Sequence, residues 1–117
     1  QDPFSQMGKV LRLKTDGSAP ANNPFADGHN GDPYVYSYGH RSPQGLAVTT
    51  SGQIWLHEHG PQGGDELNLI RGGNNYGWPA TSFGINYSGA RITPLTSAEG
   101  ITPRSPIGRL ALHLRIC

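Results

Sequence analysis

Charge is scarce in this 117-residue chain: only 15% of its residues are charged, and nine basic side chains nearly cancel eight acidic ones. No block of one sign is present to grip a polyanion, which excludes nucleic acid and anionic membrane surfaces as partners. Cysteine is almost absent. Its one occurrence, Cys117, is the last residue, so the sequence offers no internal disulfide and no thiolate metal site, and it leaves the redox compartment open. No apolar run approaches the roughly 18 residues of a membrane span. The opening Gln1-Asp2-Pro3-Phe4 is not the charged-then-apolar pattern of an export signal, so any such signal is expected to have been removed or to lie upstream. Apolar residues make up 34%, well under the roughly 45 to 50% of ordinary globular chains, so at most one domain with a thin core is expected.

What the chain has in abundance is glycine (17) and proline (10), nearly a quarter of all residues, which argues against a helical bundle. Ten aromatic residues and a net charge of +1 argue equally against disorder. Short strands between turns remain. Lys9 to Lys14 alternates partially and is followed by Thr15-Asp16-Gly17-Ser18, a strand and then a turn. Ala19 to Pro33 has no periodicity and many backbone breakers, and is expected to be a long surface loop. Gly45 to Thr50 and Gln53 to His57 flank Ser51-Gly52 with the spacing of a two-residue hairpin. On the second of these strands Ile54, Leu56 and Glu58 share one face, and Trp55, His57 and His59 the other. Asp65 to Ile70 predicts a third strand, Gly84 to Tyr87 a further one, Thr93 to Pro106 a loop, and Arg109 to Ile116 a strand or a short helix. The fold class is all-β, a sandwich, barrel or propeller.

Five glycine-containing stretches carry the chemistry-bearing residues. They are Gly8 to Leu13, Tyr38-Gly39-His40-Arg41-Ser42-Pro43-Gln44-Gly45-Leu46, Trp55 to Ile70, Asn74-Asn75-Tyr76-Gly77-Trp78-Pro79, and Gly84-Ile85-Asn86-Tyr87-Ser88-Gly89. Together they resemble the soluble quinoprotein sugar dehydrogenases, which depend on pyrroloquinoline quinone (PQQ) and are built on a six-bladed β-propeller. The aldose sugar dehydrogenase branch is the nearest, with a pattern much like G-H-R-N-P-Q-G, E-H-G-P-x-G-G-D-E-x-N, N-Y-G-W-P and G-I-N-Y-S-G. The resemblance covers residues 8–92. Full members are several-fold longer, so it implies a fragment of about two blades: residues 1–92 form the propeller part with cofactor and calcium loops, and 93–117 form a divergent tail.

The resemblance also implies roles. Arg41 would bind PQQ, as suits a rigid guanidinium fork facing a carboxylate or quinone oxygen. Read by itself, Arg41 is also compatible with a surface arginine paired to a nearby acid. Ser42 would make the next cofactor contact, although the family usually has Asn there, and a shorter hydroxyl would lose that contact or bridge it by water. His59 would face the cofactor plane. The carbonyls of Gly60 and Pro61 would hold the Ca²⁺ that orients PQQ and acts as a Lewis acid, since carbonyls are the hard donors calcium takes. Glu66 and the Tyr76 carbonyl would hold a second, structural calcium, with Asn86 near another oxygen position. Asp65 would stand near the cofactor, or else serve as a solvated turn acid or cap. Tyr87 matches an aromatic that contacts PQQ.

Other features read more plainly. His57 and His59 form a His-x-His pair on one strand face, but two ligands do not make a zinc site. Trp55 and Trp78 read as packing residues between sheet layers. Asp27 to Asp32 lacks the terminal glutamate of an EF-hand, and Asn86-Tyr87-Ser88 is a glycosylation sequon only in a secretory setting. In the family the general base is a histidine upstream of the Gly8 motif. None of the five histidines here inherits that role, so no catalytic residue is assigned.

The implied parent activity is oxidation of an aldose at its anomeric carbon, with an electron acceptor as second partner and a periplasmic or secreted location. The chain alone is expected to be inactive. The alternatives are a propeller-derived binding module without chemistry and a truncated or frame-disrupted product, motivated by missing blades and by an ending, Leu114-Arg115-Ile116-Cys117, that leaves the family pattern.

Overall fold

A computed structural model describes residues 1–82, 84 and 88–103. Among them are five short strands in two sheets and no helix, so the all-β expectation holds. Strand β1 (Lys9–Leu11) pairs antiparallel with β2 (Val35–Tyr38), placing Val10 opposite Ser37. Strands β3 (Pro43–Val48), β4 (Ile54–Glu58) and β5 (Glu66–Ile70) form an antiparallel meander.

Alternation explains most of this. In β4, Leu56 and Glu58 are buried while Trp55 and His57 are only half so, and in β5 Glu66, Asn68 and Ile70 turn inward. The first strand stops at Leu11, short of the expected Lys14. Its ladder is irregular at Val10/Leu11, and Lys14 is drawn into a tight turn by Lys14 N–H to Ser18 O (2.9 Å) and Gly17 N–H to Lys14 O (3.0 Å). The β3–β4 turn is also corrected. Gly52 N–H bonds Thr49 O (2.9 Å) and Thr49 N–H bonds Gln53 O (2.8 Å), with Gly52 at φ +84°. That is a three-residue loop closed by a left-handed glycine, not the two-residue turn expected.

Residues 19–33 contain no strand, as expected, yet they are pinned rather than free. Buried Asn23 donates from Nδ2 to Arg12 O and Pro33 O, both at 2.9 Å. Strand β2 was not foreseen, because its inward residues are Val35 and the polar Ser37, both fully buried, and only pairing with β1 makes it a strand. Residues 93–103 carry no strand, in keeping with the loop expected there, whereas the expectations for 85–87 and 109–116 lie outside the described residues.

The core is thin. Val10, Val35, Leu56, Ile70 and Tyr76 are its buried apolar members, against eight buried polar residues among those described, so hydrogen bonds must satisfy much of the interior. Tyr76 is the hinge between apolar and polar parts. Its ring is fully buried against Val10, Leu56 and Ile70, and its hydroxyl donates to Leu69 O (2.6 Å) while accepting from Arg71 N–H (2.9 Å). Burial raises the phenol above its ordinary value, although the Arg71 amide and charge pull the other way. Tyr76→Phe would strand both backbone groups in a space the ring still fills. A loss of about 2 kcal/mol in urea unfolding is expected; a change too small to measure would mean that water takes the hydroxyl's place.

The segment after β5 returns to β2 and ties the sheets together. Tyr76 N–H bonds Tyr38 O (2.8 Å), Trp78 N–H bonds Gly39 O (2.8 Å), and Tyr38 bridges Asn75. Strand β3 is left at the outside of its sheet, with Leu46 and Val48 exposed.

Candidate cofactor and calcium site

The site forms where the end of β4 and the β4–β5 loop meet the corner at 39–42 and the segment 75–82. Between them lies a cleft of about 10 Å³, lined by Arg41, Glu58, His59, Gly60, Pro61, Gly64, Glu66, Trp78 and Ser82. That is the room of one water-sized particle or ion.

The loop from Gly60 to Asp65 is closed on itself. Asp65 Oδ1 accepts the Gly60 N–H (2.9 Å), and a Cβ on Gly60 would overlap the Gly63 carbonyl. Gly63 and Gly64 both take φ +75°, which explains the glycine pair. Among the described residues no hydrogen bond is donated to the carbonyls of Gly60 or Pro61, which leaves two hard acceptors beside the cleft.

Arg41 is half-buried. Its Nη1 donates to His59 O (3.3 Å) and its guanidinium lies 5.4 Å above the Trp78 ring. Among the described residues it makes no ion pair, so the reading of an arginine paired to a surface acid finds no partner. Its positive charge faces the cleft uncompensated by a carboxylate bond. Trp78 is accordingly a site residue as well as a packing one.

Behind Arg41 runs a buried polar chain. Ser37 Oγ lies 2.9 Å from His40 Nε2, His40 Nδ1 lies 3.2 Å from Glu58 Oε1, and Asn68 Nδ2 bonds both Glu58 Oε1 and Glu66 Oε2 at 3.1 Å. The His40 ring stacks on Tyr76 with centroids 4.9 Å apart. Burial pushes the Glu58 carboxyl up, but its hydrogen bond to His40, the His40 charge and the backbone amides of Arg41 and Ser42 outweigh this and hold it below the ordinary glutamate value. Glu58 is therefore a carboxylate at neutral pH. A carboxylate only accepts, so in this contact His40 Nδ1 is the donor.

The structure thus gathers Arg41, His59, Gly60, Pro61 and Glu66 at one cleft. Ser42 stands beside it, its carbonyl accepting from His59 N–H (3.1 Å) and its hydroxyl from Gln44 Nε2 (3.0 Å). Asp65 sits behind the loop with Oδ2 3.7 Å from His59 Nδ1, and its side chain is only 17% exposed, so it is not a solvated turn acid. The ring of Tyr76 points into the core. Tyr87 and Asn86 lie outside the described residues. The His57/His59 pair finds no third partner, since no group of three His, Cys, Asp or Glu side chains able to hold a metal occurs among the described residues. Sequence reasoning gave no role to His40, Glu58 or Asn68. One signal was present: an ionisable residue on the same strand face as Leu56.

Residues 1–108 match the glucose/sorbosone dehydrogenase family profile. The chain belongs to that family. It is 47% identical over 93 residues to an aldose sugar dehydrogenase of Escherichia coli strain K12, covering 79% of this chain and 25% of that protein. The crystal structure of the soluble aldose sugar dehydrogenase from Escherichia coli in its apo form superposes with TM-score 0.82 at 42% identity, over 88% of this chain and 30% of that one. The PQQ-bound form of an aldose sugar dehydrogenase from Streptomyces coelicolor superposes with TM-score 0.61 at 41% identity, over 77% of this chain and 25% of that one. The chain therefore spans about a quarter to a third of these family members and matches part of their solved structures. The match to residue 108 takes in 93–103, which join the site segment through Thr102 N–H to Asn75 O (2.7 Å) and Ser82 N–H to Leu95 O (3.1 Å). Among the described residues no helix is long and apolar enough to cross a membrane.

Proposed function

We propose that this chain supplies one wall of the cofactor site in a PQQ- and calcium-dependent aldose sugar dehydrogenase, as about two blades of a six-bladed β-propeller. The observation that carries this reading is the Arg41 guanidinium, which makes no ion pair among the described residues, held over Trp78 beside an ion-sized cleft with the Gly60 and Pro61 carbonyls at its edge. When bound, PQQ supplies a quinone that accepts hydride from the anomeric carbon of the sugar and is later reoxidised by an electron acceptor.

The chain's own residues bind and orient. Arg41 grips an anionic or quinone oxygen of the cofactor, Ser42 offers a hydroxyl beside it, and exposed His59 presents its ring to the cofactor plane. Gly60 and Pro61 hold Ca²⁺ through carbonyl oxygens, while Asp65 keeps that loop in shape by its bond to Gly60 N–H. Glu66 and the Tyr76 carbonyl hold a second calcium, and Tyr87 adds an aromatic contact. The cleft takes an ion and not a tricyclic quinone, so PQQ rests against this wall rather than inside it. No residue here is assigned as the base: His40 is buried with both ring nitrogens already engaged. A periplasmic or secreted location goes with this reading.

The test is an absorbance titration of the protein, as its gene encodes it, with PQQ in the presence of Ca²⁺. A saturable shift of the quinone band that a chelator abolishes is expected. No shift at any PQQ concentration, together with binding of a glycan or protein at the same face, would establish the non-catalytic binding module instead.

A further inference from the structure

We propose that Glu58 and His40 are positioning residues that set the aim of Arg41, an inference that rests on the cofactor reading above. Arg41 lies in no strand, and the β3–β4 ladder is irregular between Pro43 and Gly45, where the corner at 39–42 enters β3. Backbone bonds hold the neighbours of Arg41, His40 N–H to Gly8 O (3.2 Å) and Trp78 N–H to Gly39 O (2.8 Å), but among the described residues no backbone carbonyl takes the Arg41 N–H. Glu58 takes it with a side chain, its Oε2 accepting at 2.9 Å. The residue just after β4 completes the grip: His59 N–H bonds Ser42 O (3.1 Å), and His59 O accepts from the Arg41 guanidinium (3.3 Å). Glu58, the last residue of β4, and His59 after it together hold the Arg41–Ser42 corner.

The chemistry of the grip is selective. A direct Glu58–Arg41 ion pair would neutralise the guanidinium that the cofactor needs. The carboxylate instead takes the backbone N–H of Arg41 and spends its other oxygen on His40 Nδ1 and Asn68 Nδ2. The side-chain charge of Arg41 stays available to a ligand. His40 is held in turn by Ser37 Oγ and by stacking on Tyr76, so the carboxylate has one orientation. This cluster is not what folding alone would select. Asn68 divides its amide between two carboxylates, and its buried Oδ1 has no hydrogen-bond partner among the described residues, a cost that an apolar packing of the same space would avoid.

The experiment is a double-mutant cycle on the full protein, read by PQQ titration with Ca²⁺ and by the unfolding midpoint of the cofactor-free form. Glu58→Gln keeps the shape but must set an NH₂ donor against either the Arg41 N–H or the His40 and Asn68 donors, loosening the grip in both cases, and is expected to weaken PQQ binding about tenfold. In an Arg41→Ala background the same change is expected to leave the affinity within about twofold, because the group it aims is gone. A merely structural role would give equal losses in both backgrounds, and that result would overturn the inference while leaving the cofactor reading intact. Native-like affinity in Glu58→Gln would do the same. A native protein that takes up no PQQ would overturn both readings. Should Glu58→Gln fail to fold, His40→Gln carries the same cycle, with an expected loss of about threefold that again vanishes without Arg41.

Discussion

Gly39→Ala is expected to destabilise the protein by about 3 kcal/mol or more. Two costs combine. Gly39 has φ +80°, a conformation an L side chain adopts only with strain, and its new Cβ would meet the backbone N of Gly77 at 2.6 Å and of Tyr76 at 2.9 Å, besides overlapping the Asn75 side chain. The obstacle is mostly backbone, so no rotamer change relieves it. The same contact lets Trp78 N–H reach Gly39 O, the bond that brings the Trp78 ring under Arg41. Unfolding in urea would show the loss as a lowered midpoint, and PQQ affinity should fall with it. Stability within 1 kcal/mol of native would show that residues 75–78 can retreat from β2, contrary to the close fit described.

Arg41→Ala is expected to lower PQQ affinity about a hundredfold, as the loss of charge-assisted hydrogen bonds to an anionic ligand implies. Its effect on stability should be small. The guanidinium is half-exposed and gives up only one bond to His59 O and its contact with Trp78, whereas the buried Glu58 bond is to the backbone N–H and survives the substitution. Arg41→Lys keeps the charge but not the fork, and an intermediate affinity would separate the two contributions. The titration that defines the native affinity reads all three proteins. Unchanged affinity in Arg41→Ala would remove Arg41 from the cofactor wall.

Several of these residues were legible in the sequence because their information is local. Turn glycines and alternation marked the β3–β4 hairpin and β5, and the Gly60 to Glu66 motif carried its own loop closure in the Asp65 and glycine positions. Pairing across distance was not legible. Strand β2 owes its existence to β1, some 25 residues earlier, and its buried Ser37 breaks the apolar alternation by which strands are read. The stack of His40 on Tyr76 and the placement of Trp78 under Arg41 likewise depend on where the segment after β5 returns. Glu58 shows the middle case. Its face followed from alternation, but its purpose needed the position of the Arg41 amide.

The way the site is stitched has a kinetic side. The meander β3–β4–β5 joins neighbours in sequence and can form early, since short loops close quickly. The candidate site cannot, because it waits for Tyr38 and Gly39 to find Tyr76 and Trp78, and for Asn75 to find Thr102. During synthesis the cleft should therefore be the last part to acquire its shape, since Trp78 reaches its place under Arg41 only once those distant pairings are made.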